Sequence, residues 1–325
     1  MRLAAVLLLV ALLSQNTDAL AQPLPRVHRV GVLSPGSATE SAAVQREPFE
    51  RGLRDLGWTV GSSLLIEYRH AEGRAARLGE LARELVRLNV DVIVARSSPG
   101  VEAARQATAS IPIVMSSGND PVAAGHVKSL ARPGGNVTGI ANLTAELEGK
   151  RLELLTAAIS RPVRVGVLDN ATLRRDPVAS LGEASRALGL EVQGFTVGRP
   201  EALAETFAAM GRARVGAVLV RADALLLEPN RAQVVALAAR SRLPAIYPWR
   251  FYVDAGGLMS YAENLPAFHY RSASYVDRIL KGARPADLPV EQPTKFELVV
   301  NLRTARALDL TIPHGVLLRA DEVIE

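Results

Sequence analysis

The chain has 325 residues, 48% hydrophobic and 22% charged, a globular composition with material for one large or two moderate cores. Cysteine is absent, which excludes disulfides, thiolate metal sites, cysteine nucleophiles and a lipidated-cysteine tether. The net charge of +5 is dispersed, without the basic runs or aromatic–basic interleaving of nucleic-acid binders, so no nucleic-acid partner is expected.

Met1-Arg2 precedes eleven apolar residues, Leu3 to Leu13, then a polar stretch and Ala19-Leu20-Ala21. That is the charged region, apolar region and A-x-A site of a secretory signal peptide over residues 1–21. The run is shorter than the roughly 20 apolar residues a bilayer span needs. An exported, soluble chain starting at Gln22 and free in the periplasm is expected.

From Arg29 onward, short apolar runs alternate with helical patterns. Val30 to Leu33 reads as a strand followed by a helix through Phe49, Leu53 and Leu56. Leu64 to Tyr68 precedes a helix with Leu78, Leu81, Leu85 and Leu88 on one face, and Val90 to Val94 precedes a helix over 101–109. Ile113 to Met115 reads as a strand ending in Ser116-Ser117-Gly118-Asn119, with Asp120 placed as a helix N-cap and Pro121 at the first helical position. Val137 to Ile140 closes this half. The same grammar restarts with a helix through Leu152 and Leu155, strands at 163–168, 191–197, 216–220 and 244–247, and intervening helices. A strand over 257–261, a helix over 268–281 and a strand over 295–300 follow. Near-continuous apolar strands are what a sheet covered by helices on both faces requires. Two such series predict an α/β protein with two Rossmann-like parallel-sheet lobes.

No catalytic signature is present: G-x-G-x-x-G after a strand, G-x-x-x-x-G-K-[ST] and G-x-S-x-G are all missing. The five histidines show no metal-ligand spacing, and no cofactor is expected. What recurs is small and polar residues just past strand ends, where open α/β sheets bind ligands. Candidate ligand contacts are Ser34, Ser98, Asn119, Asp120, Asn142, Asp169, Asp223 and Tyr247. Asp120 has an equal reading as a cap alone. Trp249 or Tyr247 offers a stacking surface, and Arg96 or Arg250 a partner for a carboxylate.

Several longer stretches carry a resemblance. Asp91 to Ala95, Ile111 to Val114, Asp120-Pro121-Val122, Leu130-Ala131-Arg132-Pro133-Gly134-Gly135-Asn136-Val137-Thr138-Gly139 and Gly149 to Leu155 occur in order. Ala255 to Tyr261, Tyr275 to Gly282 and Leu288 to Glu297 follow. On these the chain resembles the ABC-transporter substrate-binding proteins of the tryptophan/tyrosine-type family. The resemblance implies a type I periplasmic-binding-protein fold, with two lobes joined by a hinge and closing on a small solute. It also implies docking on an inner-membrane permease with its own ATPase. The lobes it implies are 22–140 plus about 262–284, and 141–261 plus about 285–325. Amino-acid-binding members of the family carry an acidic residue just after T-G-[IVL], suited to a ligand ammonium. Asn142 here is neutral, which moves that role to Asp120, Asp169 or Asp223 for an amino-acid solute. The alternative reading is a ligand-sensing periplasmic partner of a membrane-bound signalling receptor.

Overall fold

The computed structural model describes residues 26–38, 42–143, 147–159, 164–173, 176–224 and 227–325. The expected signal peptide lies outside the described residues. Among them no helix is long and apolar enough to cross a membrane.

The first sheet is built from β1 (His28–Ser34), β2 (Leu64–His70), β3 (Val92–Arg96), β4 (Ile113–Asn119) and β5 (Val137–Asn142). All pairings are parallel, in the order β2-β1-β3-β4-β5. A π-helical turn, Ala42–Arg46, runs into α1 (Glu47–Asp55); α2 (Leu78–Arg87) and α3 (Ser97–Ala107) complete the crossovers. The leucine stripe of α2 faces inward as its spacing demands, with Leu78, Leu81 and Leu85 buried. Every residue of β3 is buried, consistent with a covered central strand.

The chain after Asn119 departs from expectation. Asp120 Oδ1 accepts the Ala123 amide as a cap would, at 3.1 Å, but residues 121–125 form turns that do not propagate. The Pro121 carbonyl accepts from His126 and Val127, so the helical reading here is corrected to one closed turn. Next to it, β4 and β5 slip register between Ser116 and Gly118. Gly139 sits at φ +125°, where a Cβ would lie 2.1 Å from the Met115 carbonyl oxygen, so only glycine fits.

The second series contains α4 (Glu148–Ala158), β6 (Arg164–Asn170), α5 (Gly182–Leu188), β7 (Glu191–Val197), α6 (Leu203–Arg212), β8 (Ala217–Val220), α7 (Arg231–Arg240), β9 (Ala245–Tyr247), α8 (Arg250–Asp254) and β10 (Met259–Ala262). Then come α9 (Leu265–Leu280), β11 (Glu297–Asn301), α10 (Leu302–Ala307), α11 (His314–Leu317) and β12 (Glu322–Ile324). The sheet order is β12-β11-β10-β9-β8-β6-β7, parallel except for the β10–β11 pair. The elements after Asn301 lack a strong apolar period and were not expected from sequence.

The longest of these helices, α9, returns to the first sheet. It packs on α1, β3, β4 and β5. The approach to α1 is close enough that a Cβ on Gly52 would stand 2.6 Å from the Tyr270 carbonyl oxygen. Trp58 Nε1 donates to Asp277 at 3.0 Å and the Tyr270 hydroxyl to Asp55 at 3.0 Å, tying the same pair together. The chain then stays with the first sheet longer than expected. Val290 N donates to the Leu130 carbonyl, Glu291 N to Gly139 and Ala141 N to Glu291, so residues 285–291 line β5 rather than the second sheet. Unpaired backbone groups on the outer edge of β5 attract this extra length of chain.

Candidate functional site

In both sheets the crevices at the carboxyl ends of the strands open on one cavity of about 530 Å³. The size is within the range of small-molecule sites, roughly 300–1,000 Å³. Ser34 ends β1, Arg96 ends β3, Asn119 ends β4 and Asn142 ends β5; all four line it. Ala222, Asp223, Glu228 and Trp249, from the loops after β8 and β9, form the opposite wall. Leu265 and His269 of α9 contribute from the returning helix.

Five of the eight sequence candidates are therefore brought together: Ser34, Ser98, Asn119, Asn142 and Asp223. Three are not. Asp120 is a turn cap away from the lining. Asp169 is fully buried behind the second wall, its Oδ2 3.1 Å from Arg221 Nη1. Tyr247 is stacked on Tyr252 in the second core, with ring centroids 5.0 Å apart. Of the residues weighed for other roles, Arg96 and Trp249 line the cavity; Arg250 lies outside it, paired with Glu322 and Asp254. Ser97 and Ser117, in the small polar stretches past the strand ends, also line it, as do Gln45, Glu102, Glu228, His126 and His269, which the sequence reading missed.

The first wall is chemically unfinished. Ser34 Oγ, Arg96 Nε, Ser97 Oγ, Asn119 Oδ1, His126 Nδ1 and Asn142 Oδ1 are buried without a protein hydrogen-bond partner. Buried polar groups are ordinarily paired, so their gathering on one cavity marks a place where something else binds. Neighbouring bonds fix their direction. Asn142 Nδ2 donates to the Ser117 carbonyl at 3.2 Å, which leaves Oδ1 for the cavity. Ser98 Oγ accepts the Asn119 amide at 2.9 Å, joining the α3 amino end to the tip of β4. Ser97 and Ser117 hold positive φ angles of 60° and 76°, costly for residues with a Cβ. Strain of this kind gathers at ligand sites.

Electrostatics separates the walls further. Arg96 is 2% exposed, and burial pushes its guanidinium down to about 10, against opposing pulls from Tyr68 and Glu228. It is still charged at neutral pH. Its Nη1 donates to Gln45 Oε1 on the π-helical turn. His269 donates to or accepts from Ser116 Oγ at 2.8 Å through Nδ1. Burial, and then the Arg96 charge, hold its imidazole neutral, well below its ordinary value. His126 is lowered by burial and by Arg105, opposed by Glu102, which lies 3.3 Å from its Nε2.

On the second wall the charges are mutually engaged. Arg221 bridges Glu148 at 2.7 Å and Asp169 at 3.1 Å, and the Ser180 hydroxyl donates to Glu148. Asp223 Oδ2 accepts from Asn170 Nδ2 at 3.1 Å and from the Leu227 amide at 2.9 Å. Trp249 is the exception: its Nε1 is buried without a partner, and its ring lies 5.6 Å from that of Phe251. No group of three or more metal-ligating side chains occurs among the described residues.

Two parallel sheets with their strand tips around one solute-sized chamber define the type I periplasmic-binding-protein class. Residues 23–324 match the ABC transporter substrate binding protein family, and the chain belongs to it. It is similar to a tyrosine-binding protein from Clostridioides difficile, with 27% identity over 267 residues, 82% of this chain and 76% of the relative. Among solved structures, it superposes on an ABC domain in complex with L-Trp from Streptococcus pneumonia with a TM-score of 0.82. That pair is 26% identical, over 92% of this chain and all of the other. A substrate-binding protein with adhesive properties from Clostridium difficile, ligand-free and open, gives a TM-score of 0.66 at 24% identity, over 92% of this chain and 99% of the other.

Proposed function

We propose that this protein is the periplasmic substrate-binding component of an ABC importer, capturing an aromatic amino acid or a related small carboxylate and delivering it to a membrane permease and its ATPase. In this reading residues 1–21 direct export and are removed. One lobe comprises about 26–142 and 265–291, the other about 148–262 and 297–325. The three crossings between them form the hinge. The observation that carries the reading is the set of buried, unpartnered polar atoms converging on a cavity walled by both lobes. Such atoms are costly to bury alone, at about 1–3 kcal/mol each, and a ligand that completes them holds the lobes together. Trp249 supplies a flat apolar surface for an aromatic solute. A relative that is a tyrosine-binding protein and a solved structure in complex with L-Trp support the same ligand class.

The chain has two tryptophans, Trp58 and Trp249, and only Trp249 lines the cavity. Titrating the Trp58→Phe variant with L-tyrosine and 3,4-dihydroxybenzoate should change Trp249 fluorescence and raise the thermal midpoint. L-tryptophan can be followed by calorimetry. Scattering should show contraction on binding. A panel of aromatic amino acids and aromatic acids that moves none of these signals removes the proposed function. Stimulation of the permease–ATPase complex in proteoliposomes by the loaded protein tests the transport step.

A further inference from the structure

The arginine that ends β3 is the only residue among the unpartnered polar groups of the first wall that carries a full positive charge. Arg96 is 2% exposed, its Nη1 is occupied by Gln45, and its Nε has no partner. Its guanidinium makes no ion pair with a carboxylate among the described residues; Glu228, which lines the same cavity, raises its affinity for the proton through its field. An ion buried without a counter-ion costs several kcal/mol, so this position is maintained against stability. The adjoining helix adds to the imbalance. The amino end of α3, eleven residues long, opens on the cavity through Ser97 and Ser98, with no side-chain cap and no acidic residue in its first turn. Its free amides and dipole present further positive potential at the same spot.

We infer that Arg96 is the specificity-determining residue of the cavity: it anchors a carboxylate of the solute, shared with the Ser97 hydroxyl and the amino end of α3, and it rejects solutes without that charge. This rests on the solute-binding function proposed above and adds to it a chemical requirement and the group that imposes it. The guanidinium edge at Nε matches a carboxylate, whereas an ammonium on a flexible stem does not reproduce that geometry. Gln45 keeps the fork oriented, so the anchor is set before the solute arrives. An uncharged amide in the same place leaves Arg96 buried and unneutralised, and the whole of that penalty weighs against binding.

The test compares acids with their carboxamides by calorimetry: L-tryptophan with L-tryptophanamide, L-tyrosine with L-tyrosinamide, and 3,4-dihydroxybenzoate with 3,4-dihydroxybenzamide. For the native protein the acid of at least one pair should bind about 100-fold more tightly than the amide, the effect of breaking a buried, hydrogen-bonded charge pair. Arg96→Met should reduce that ratio to below about threefold, and Arg96→Lys should restore only part of it. A merely structural role for Arg96 would weaken acid and amide together and leave the ratio intact, and that result overturns the inference. Equal binding of acid and amide by the native protein overturns it too, while leaving the solute-binding function standing. Failure of every acid and every amide to bind removes both.

Discussion

The two walls of the cavity solve the burial of charge in opposite ways. Behind the second wall, Arg221 is 5% exposed and has Glu148 and Asp169 as neighbours, so each buried charge is answered within the protein. On the first wall Arg96 is as deeply buried and has only a neutral amide. The same residue type is a structural tie in one lobe and an open valence in the other. The first lobe holds the unsatisfied groups in fixed directions, and the second supplies a rigid polar face and Trp249.

The largest expected effect is on stability. Arg221→Met strands two buried carboxylates and should destabilise the protein by about 3–5 kcal/mol in urea unfolding. The same substitution at Arg96 removes an unanswered charge and should cost less than about 1 kcal/mol, or raise stability. Equal losses at the two positions would erase the contrast between the walls.

Acid should act through the first wall's histidines. Burial keeps His269 neutral when folded, while the unfolded chain takes up a proton near the ordinary value of 6.5. Stability from this group is therefore complete above that pH and lost below it, by about 1.4 kcal/mol per pH unit. His269→Gln, which can keep a bond to Ser116, should flatten the difference in thermal midpoint between about pH 7.5 and about pH 5.5. A variant with the native slope would show that His269 is not the group responding.

The smallest effect concerns a single neutral acceptor. Asn142→Ala removes Oδ1 from the cavity and the bond to Ser117. It should weaken a bound solute by about 1 kcal/mol, roughly fivefold, with little change in unfolding. A loss near 100-fold would instead give the amide the weight assigned to Arg96.

The architecture was legible because buried parallel strands leave apolar runs, and their polar ends mark where a ligand can reach. Of the residues that rule picks out, Ser34, Ser98, Asn119, Asn142 and Asp223 line the cavity. Asp169 and Tyr247 lie away from its lining because a strand's successive side chains point to opposite faces, and position at a strand end does not say which face the cavity adopts. Asp120 read as a cap, and a cap is what it is, though of a turn. Gln45, Glu228 and His269 have no local signal at all. They reach the cavity because a π-helical turn, a loop of the second lobe and a helix that begins at Leu265, far along the chain from the first sheet's last strand at Asn142, converge there. Convergence of that kind is a property of packing, not of spacing.

The return of α9 to the first sheet sets the order in which the chain can mature. Until residues 265–291 have emerged, Phe49 and Leu53 of α1 and the face of β3 to β5 lack the surface that covers them. The first lobe therefore waits, with an apolar side uncovered, for a segment still to come, the situation in which nascent chains aggregate or recruit holding factors. A product ending before Leu265 should be insoluble, and one ending after Glu291 should rescue the first lobe alone.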